Sequence, residues 1–159
     1  MKNNKQKIII ILHDIRSAMN VGAIIRTADG MGAYRVYLTG YTATPNHPKV
    51  IKTSLGAENS VTWEYFDDID LLIENLKNQG FQILGLEITD ESKYIWNSNI
   101  NFPVALLLGN EIRGIESDLI NKCDQIVSLP MLGEKESLNV ATATGIATYE
   151  LLRMSEHQK

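Results

Sequence analysis

VALLLG, residues 104 to 109, decides how the rest of the chain is read. Its apolar residues follow one another without a break, from the entry at Pro103 to the stop at Gly109, and lack the alternation of a strand that keeps one face in water. Continuous apolarity over a strand's length means that both faces are covered, the condition of a strand inside a parallel sheet flanked by helices.

Working outward, the same alternation of short apolar runs and helical spacing recurs on both sides. Ile8 to Leu12 reads as a buried β-branched strand, and the apolar positions 21, 24, 25, 28 and 31 give Asn20 to Met31 the period of a helix. Strands are expected at Arg35 to Leu38, near Val61 to Tyr65, at Gln82 to Leu86 and near Gln125 to Leu129. Helices are expected around Val50 to Leu55, over Asp67 to Asn78 with Gly80 behind it, near Glu116 to Lys122, and from about Leu138 to Met154. The pattern predicts an α/β fold, a mostly parallel sheet with helices on its faces, in a single domain over residues 1–159. Ligands of such sheets bind beyond the carboxyl ends of the strands. Three segments stand there: His13 to Asn20, GNEIRG at 109 to 114, and LPMLGEKESLN at 129 to 139.

Composition narrows the class. At 159 residues, 44% hydrophobic and 21% charged, the chain has the make-up of one globular domain. No apolar run approaches the roughly 18 residues of a membrane span, and the run after MKNNKQK is too short for a signal peptide, so a cytoplasmic protein is expected. The single Cys123 excludes an internal disulfide and a cysteine-cluster metal site, and reads as a small buried hydrophobe. A net charge of -4 argues against a surface that coats nucleic acid everywhere, but acidic residues gather between Glu64 and Glu74 and leave room for a local basic patch.

Arg26 is the residue that asks for an explanation. On a helical wheel it lies opposite the apolar stripe, between Gly22 and Gly30, one turn away on either side. Each glycine forfeits roughly 1 kcal/mol of helix stability relative to alanine, which suggests close approach of some group to the arginine. A surface arginine paired with Asp29 is the plainer reading. Asn20 is placed to cap this helix and Ser137 to cap the last one. The last helix carries Ala141, Ala143, Gly145 and Ala147 among Thr142, Thr144 and Thr148, a composition that calls for a tight neighbour within the chain or across a dimer. No G-x-G-x-x-G follows the first strand, and Walker, metal-spaced histidine and G-x-S-x-G patterns are missing, so the common nucleotide, metal and serine-nucleophile readings have no footing.

Taken in order, N-x-G-A-I-x-R-T-A (Asn20 to Ala28), L-G-N-E-x-x-G (Leu108 to Gly114) and L-P-M-x-G with S-L-N-V (Leu129 to Val140) resemble the three motifs of the SpoU, or TrmH-like, RNA ribose 2′-O-methyltransferases of the SPOUT superfamily. The resemblance spans nearly the whole chain. It implies a SPOUT-type fold with a deep C-terminal trefoil knot, S-adenosyl-L-methionine as cofactor, no metal, and a homodimer as the working unit. It also implies cofactor contacts at Gly109, Asn110, Gly114, Leu129, Met131 and Leu138, with Leu86 beside them, and catalytic-site positions at Asn20, Arg26, Glu111, Ser137 and Asn139. Arg26 would then reach the target nucleotide in a site completed by the other subunit. A guanidinium is a poor proton acceptor, so its expected part is to stabilise the developing alkoxide while a phosphate oxygen or water takes the proton. The implied substrate is RNA, tRNA first and ribosomal RNA second, met by the MKNNKQK tail, Arg16, the 39–48 loop, Lys49, Lys52 and Arg113. The alternative is a SPOUT-fold RNA-binding or regulatory module without turnover.

Overall fold

A computed structural model describes residues 7–158. The strands are β1 (Ile8–His13), β2 (Arg35–Thr39), β3 (Trp63–Tyr65), β4 (Gln82–Leu86), β5 (Lys93–Tyr94), β6 (Val104–Leu108) and β7 (Gln125–Ser128). The helices are α1 (Ala18–Met31), α2 (Pro48–Ser54), α3 (Ile69–Asn78), α4 (Ser117–Lys122) and α5 (Val140–His157). The strands form one sheet in the order β3-β2-β1-β6-β4-β7-β5, every neighbouring pair parallel.

VALLLG sits where its composition demands, as the β6 strand between β1 and β4 with all five strand residues buried. Successive side chains point to opposite faces. Ile8, Ile10 and Leu12 of β1 therefore join Val104 and Leu106 of β6 in one core with Val21, Ile24 and Ile25 of α1 and Ala147 and Leu151 of α5. Ile9, Ile11, Ala105 and Leu107 join a second core with Leu72, Ile73 and Leu76 of α3 and Leu119 of α4. Truncating any of these fully buried branched side chains to alanine would cost about 2–5 kcal/mol.

Four local features differ from the sequence expectations. The two-residue β5, exposed and without an apolar pattern, escaped it. Ser17, not Asn20, caps α1, accepting the Asn20 N–H, and Asn139, not Ser137, caps α5, accepting from Ala141 and Thr142. Both asparagines are thereby freed or committed differently from the expectation, with consequences at the site. Gly22 does not clear a path to Arg26. A Cβ there would stand 2.3 Å from the Val50 carbonyl and 2.0 Å from Thr53 Oγ1, so the glycine lets α2 lie against α1. Arg26 is exposed, and among the described residues no ion pair joins it to Asp29.

Part of α5's small-residue composition is explained within the chain. Thr144, Ala147 and Thr148 are buried against the first core, and the two threonine hydroxyls return 2.7 Å bonds to Val140 and Thr144 carbonyls one turn back. Thr142, Ile146 and Tyr149 remain exposed on the same helix, beside Gly30 of α1, whose added Cβ would lie 3.2 Å from the Tyr149 hydroxyl.

The carboxyl end of the sheet is tied in an unusual way. Val127 of β7 is paired with Leu86 on one side and with Lys93 on the other, so residues 87–92 must cross from one flank of β7 to the other.

Candidate active site

The strand-end rule is met at a cavity. The ends of β4, β6 and β7 and the start of α5 enclose a cavity of about 460 Å³, within the range of small-molecule sites. Asn20, Leu86, Gly109, Asn110, Glu111, Gly114, Leu129, Met131, Ser137, Leu138 and Asn139 all line it. Arg26 is the one candidate that does not. Six residues after Asn20, it stands about 9 Å further along α1 and about 120° around it.

The loop after β6 is built to close on itself. Asn110 and Gly114 form an antiparallel bridge, and the Asn110 Oδ1 accepts from the N–H groups of Ile112 and Arg113, each at 2.9 Å. A Cβ on Gly109 would meet the Gly114 carbonyl oxygen at 2.5 Å. The expected close approach to this glycine is therefore made first by the chain's own turn. Gly114 has φ 68 and faces the Glu87 carboxylate, whose Oε2 accepts the Ile115 N–H at 3.0 Å.

Glu111 is not a solvated turn residue. Its Oε2 accepts the Arg16 N–H at 2.7 Å, and its Oε1 accepts the Ser17 N–H at 3.0 Å and the Asn20 amide at 3.2 Å. Burial alone would lift this carboxyl, but the N–H groups of Ser17 and Arg16, its own backbone and the Asn20 amide together bring it below the ordinary carboxylate value. The acceptor-only carboxylate fixes which way the Asn20 amide faces. Asn20 Oδ1 then accepts from Asn139 Nδ2 at 3.1 Å, and Asn139 spends its own oxygen on the α5 N-terminus. One directional chain of hydrogen bonds joins all three sequence motifs at the cavity mouth.

The walls suit a flat apolar ring edged by polar groups. Leu86, Leu108, Leu129, Met131 and Leu138 supply the apolar part, and Glu87, Glu111, Asn20 and Asn139 the polar rim. Through Glu87, Ile88, Ser128, Leu129, Met131 and Ser137 the cavity continues into a wider depression that reaches Ser92 and Tyr94. Leu108 and Val140, at the ends of two motifs, and Ala143 of α5 line the cavity too, and Glu87, Ile88, Ile112 and Ser128 line it without having been singled out in the sequence. Glu87 could have been, because it follows the last residue of β4 as Gly109 follows β6. Among the described residues no group of His, Cys, Asp and Glu is arranged to hold a metal ion, and no described helix is long and apolar enough to cross a membrane.

Comparison with known proteins bears on the family and the fold. The tRNA (guanosine(18)-2′-O)-methyltransferase of Aquifex aeolicus is 29% identical over 161 residues, covering 99% of this chain and 74% of its own. A 23S rRNA (guanosine-2′-O-)-methyltransferase of Neisseria meningitidis is 31% identical over 146 residues, 92% of this chain and 58% of its own. The crystal structure of the SpoU methyltransferase AviRb from Streptomyces viridochromogenes in complex with AdoMet superposes with a TM-score of 0.89 at 25% identity, covering 98% of this chain and 63% of that one. This chain thus spans little more than half of some relatives and three quarters of others. The model of the SpoU rRNA methylase family matches residues 7–149, a stretch that contains the whole cavity and the hydrogen-bond chain at its mouth, and the protein belongs to that family.

Proposed function

We propose that the protein transfers a methyl group from S-adenosylmethionine to a ribose 2′-hydroxyl in RNA, with tRNA the first expected substrate and ribosomal RNA the second. The observation that carries this reading is the convergence of Asn20, Glu111 and Asn139, far apart in sequence, at the mouth of one cavity with apolar walls. The cavity fits the cofactor on its own features. Leucine and methionine side chains can sandwich an adenine, and the carboxylates of Glu87 and Glu111 give a cationic sulfonium a favourable field. When bound, the cofactor would supply an electrophilic methyl, open to in-line attack by an oxygen as the bond to the departing thioether sulfur breaks.

The protein's own part is positioning and charge. Gly109, Asn110, Gly114, Leu129, Met131 and Leu138 would hold the cofactor, with Leu86 beside them. Glu111 is a poor proton acceptor, since its carboxylate is already filled by donors and held acidic; it orients Asn20, and through it Asn139. The guanidinium of Arg26 stabilises the charge growing on the 2′-oxygen, and a phosphate oxygen or water receives the proton. Ser137 lines the same mouth and would meet the substrate or the cofactor's polar end.

Arg26 can serve only if a second copy brings it to the cavity. Exposed apolar residues on α1 and α5 support a homodimer: Met19, Ile146 and Tyr149 are each close to half exposed, and Gly30 of α1 lies beside the Tyr149 hydroxyl. Ile112 and Leu132, 72% and 92% exposed beside the cavity, are further apolar surface for a partner or substrate to cover. Passage of residues 87–92 around β7 supports the deep C-terminal knot. Arg16, Arg113, Lys49 and Lys52 are exposed for RNA contact, whereas Lys2 and Lys5 of the tail lie outside the described residues.

The test is methyl incorporation from labelled S-adenosylmethionine into bulk tRNA and into ribosomal RNA, followed by mapping of bonds resistant to alkaline cleavage. Resistance at one position in one RNA class is the expected result. Label on a base, or none in either RNA, would overturn the reading.

A further inference from the structure

The 39–48 loop contains a feature that methyl transfer by itself does not use. Tyr41 is 56% exposed, yet it is held at both ends. Its N–H donates to Asp14 Oδ1 at 3.1 Å, and its hydroxyl accepts from Asn110 Nδ2 at 2.6 Å. The same Asn110 amide also donates to the Asp14 carbonyl at 3.0 Å. Because the strand order is β2-β1-β6, the phenol bridges from the end of β2, past the end of β1, to the loop after β6. Its ring therefore lies along the carboxyl edge of the sheet, one residue from Glu111.

The neighbouring backbone is shaped for this placement. Asp14 has φ 52 and Gly40 φ 62, and a Cβ on Gly40 would fall 1.8 Å from Asp14 Oδ1, so no other residue fits before Tyr41 while Asp14 keeps its bond. Thr42 stitches the loop to β1 by donating to the Leu12 carbonyl at 3.0 Å and accepting the Ile15 N–H at 3.0 Å. Tyr65 donates its hydroxyl to the Gly40 carbonyl at 2.9 Å. A large apolar ring kept half in water by four separate anchors gains nothing for the fold from that exposure. Arg16, whose N–H donates to Glu111, and Arg113, whose N–H donates to Asn110, are both exposed and without an ion pair among the described residues.

We infer that Tyr41 is a preorganised stacking platform for an unpaired nucleobase of the RNA substrate next to the methylated ribose, fixed to the catalytic loop through Asn110. This rests on the RNA methyltransferase reading above. A fixed aromatic ring loses little conformational entropy on binding, and stacking of a base on such a ring is worth about 1–3 kcal/mol whatever the base. The platform thus adds affinity and register without restricting sequence.

The experiment compares wild type, Tyr41→Ala, Tyr41→Phe and Tyr41→Trp for RNA KM and kcat, using whichever bulk RNA accepts methyl, with S-adenosylmethionine affinity by calorimetry and Tm as folding controls. Tyr41→Ala should raise the RNA KM about 5- to 150-fold, the range set by loss of one stacked base. It should leave cofactor affinity and Tm nearly unchanged, and Tyr41→Phe and Tyr41→Trp should restore the KM to within a few-fold of wild type. The inference is overturned if Tyr41→Ala keeps the wild-type KM, or if Tyr41→Phe loses as much as Tyr41→Ala, which would make the hydroxyl a loop fastener only. Wild-type enzyme that labels RNA while Tyr41→Ala labels it equally well sinks the platform alone. Wild-type enzyme that labels no RNA takes down the function as well.

Discussion

Asn139 Nδ2 donates to Asn20 Oδ1 at 3.1 Å, joining the first turn of α5 to the first turn of α1 across 119 residues of sequence. The orientation of both amides is inherited from Glu111, an acceptor that cannot donate. Replacing that carboxylate should therefore disturb two helices at once.

Glu111→Gln would set an amide NH₂ against the Arg16 or Ser17 N–H and lose charge-assisted bonds each worth about 1.5–3 kcal/mol. Because the folded carboxyl titrates below its ordinary value of 4.5, its stabilisation is complete above that value and is lost as pH falls through the lowered one. The Tm gap between wild type and Glu111→Gln should be wide at neutral pH and close in acid. A gap that stays constant down to pH 3 would contradict the carboxylate's role.

If Arg26 serves the partner's cavity, two inactive variants should complement each other. Arg26→Ala and Asn139→Ala are each expected to be nearly inactive alone. Random reassortment into dimers should recover about a quarter of wild-type turnover, since half the dimers are mixed and each mixed dimer holds one intact site. No recovery, with mixed dimers verified by native mass spectrometry, would place Arg26 outside the partner's site.

Gly22→Ala offers a conflict that magnitudes decide. Helix propensity favours alanine by roughly 1 kcal/mol, but the new methyl would lie 2.3 Å from the Val50 carbonyl, a backbone atom that cannot swing aside. Forcing α2 away should cost about 1–3 kcal/mol, so the variant is expected to melt several degrees lower. An unchanged or raised Tm would mean that the α1–α2 contact is looser than described.

Burial pushes the Cys123 thiol up to about 11, with nearby Lys77 pulling it slightly down and Asp124 up. Its Sγ also donates to the Leu119 carbonyl at 3.3 Å. At pH 8 only about one molecule in a thousand would carry the thiolate, so labelling by a disulfide reagent should be slow in the folded protein and fast in denaturant. Fast labelling of the native protein would show that the α4 end opens.

Binding of S-adenosylmethionine at a hundred times its Kd should stabilise the fold by about 2.7 kcal/mol, a Tm rise of roughly 5–10 °C for a chain of this length. Leu138→Asp, in the cavity wall, should abolish most of that rise. A full shift in the variant would move the cofactor elsewhere.

The sheet and its faces were legible because burial on both sides leaves a plain mark: Ile8 to Leu12 and VALLLG contain no polar residue to misplace. The cavity was legible for a similar reason, as ligand sites lie at strand ends and the motifs stand after β1, β6 and β7. What stayed hidden was relational. Asn20 and Ser137 read as caps because each stands at the start of a helix, and only the fold shows that Ser17 and Asn139 take those places while Glu111 holds the Asn20 amide. Gly22 reads as space for Arg26 until α2, distant in sequence, is seen to fill it. Strand β5 carries no apolar signature because its partner β7 contacts it over just two residues.

The pairing of Val127 with both Leu86 and Lys93 has a mechanical side. A strand gripped on either flank by one continuous stretch of chain cannot peel sideways; it can leave only lengthwise, like a cord through an eyelet. The floor of the cavity is consequently protected from fraying although it lies one strand from the sheet's margin, and thermal agitation there should loosen the exposed 132–139 segment long before it shifts β7.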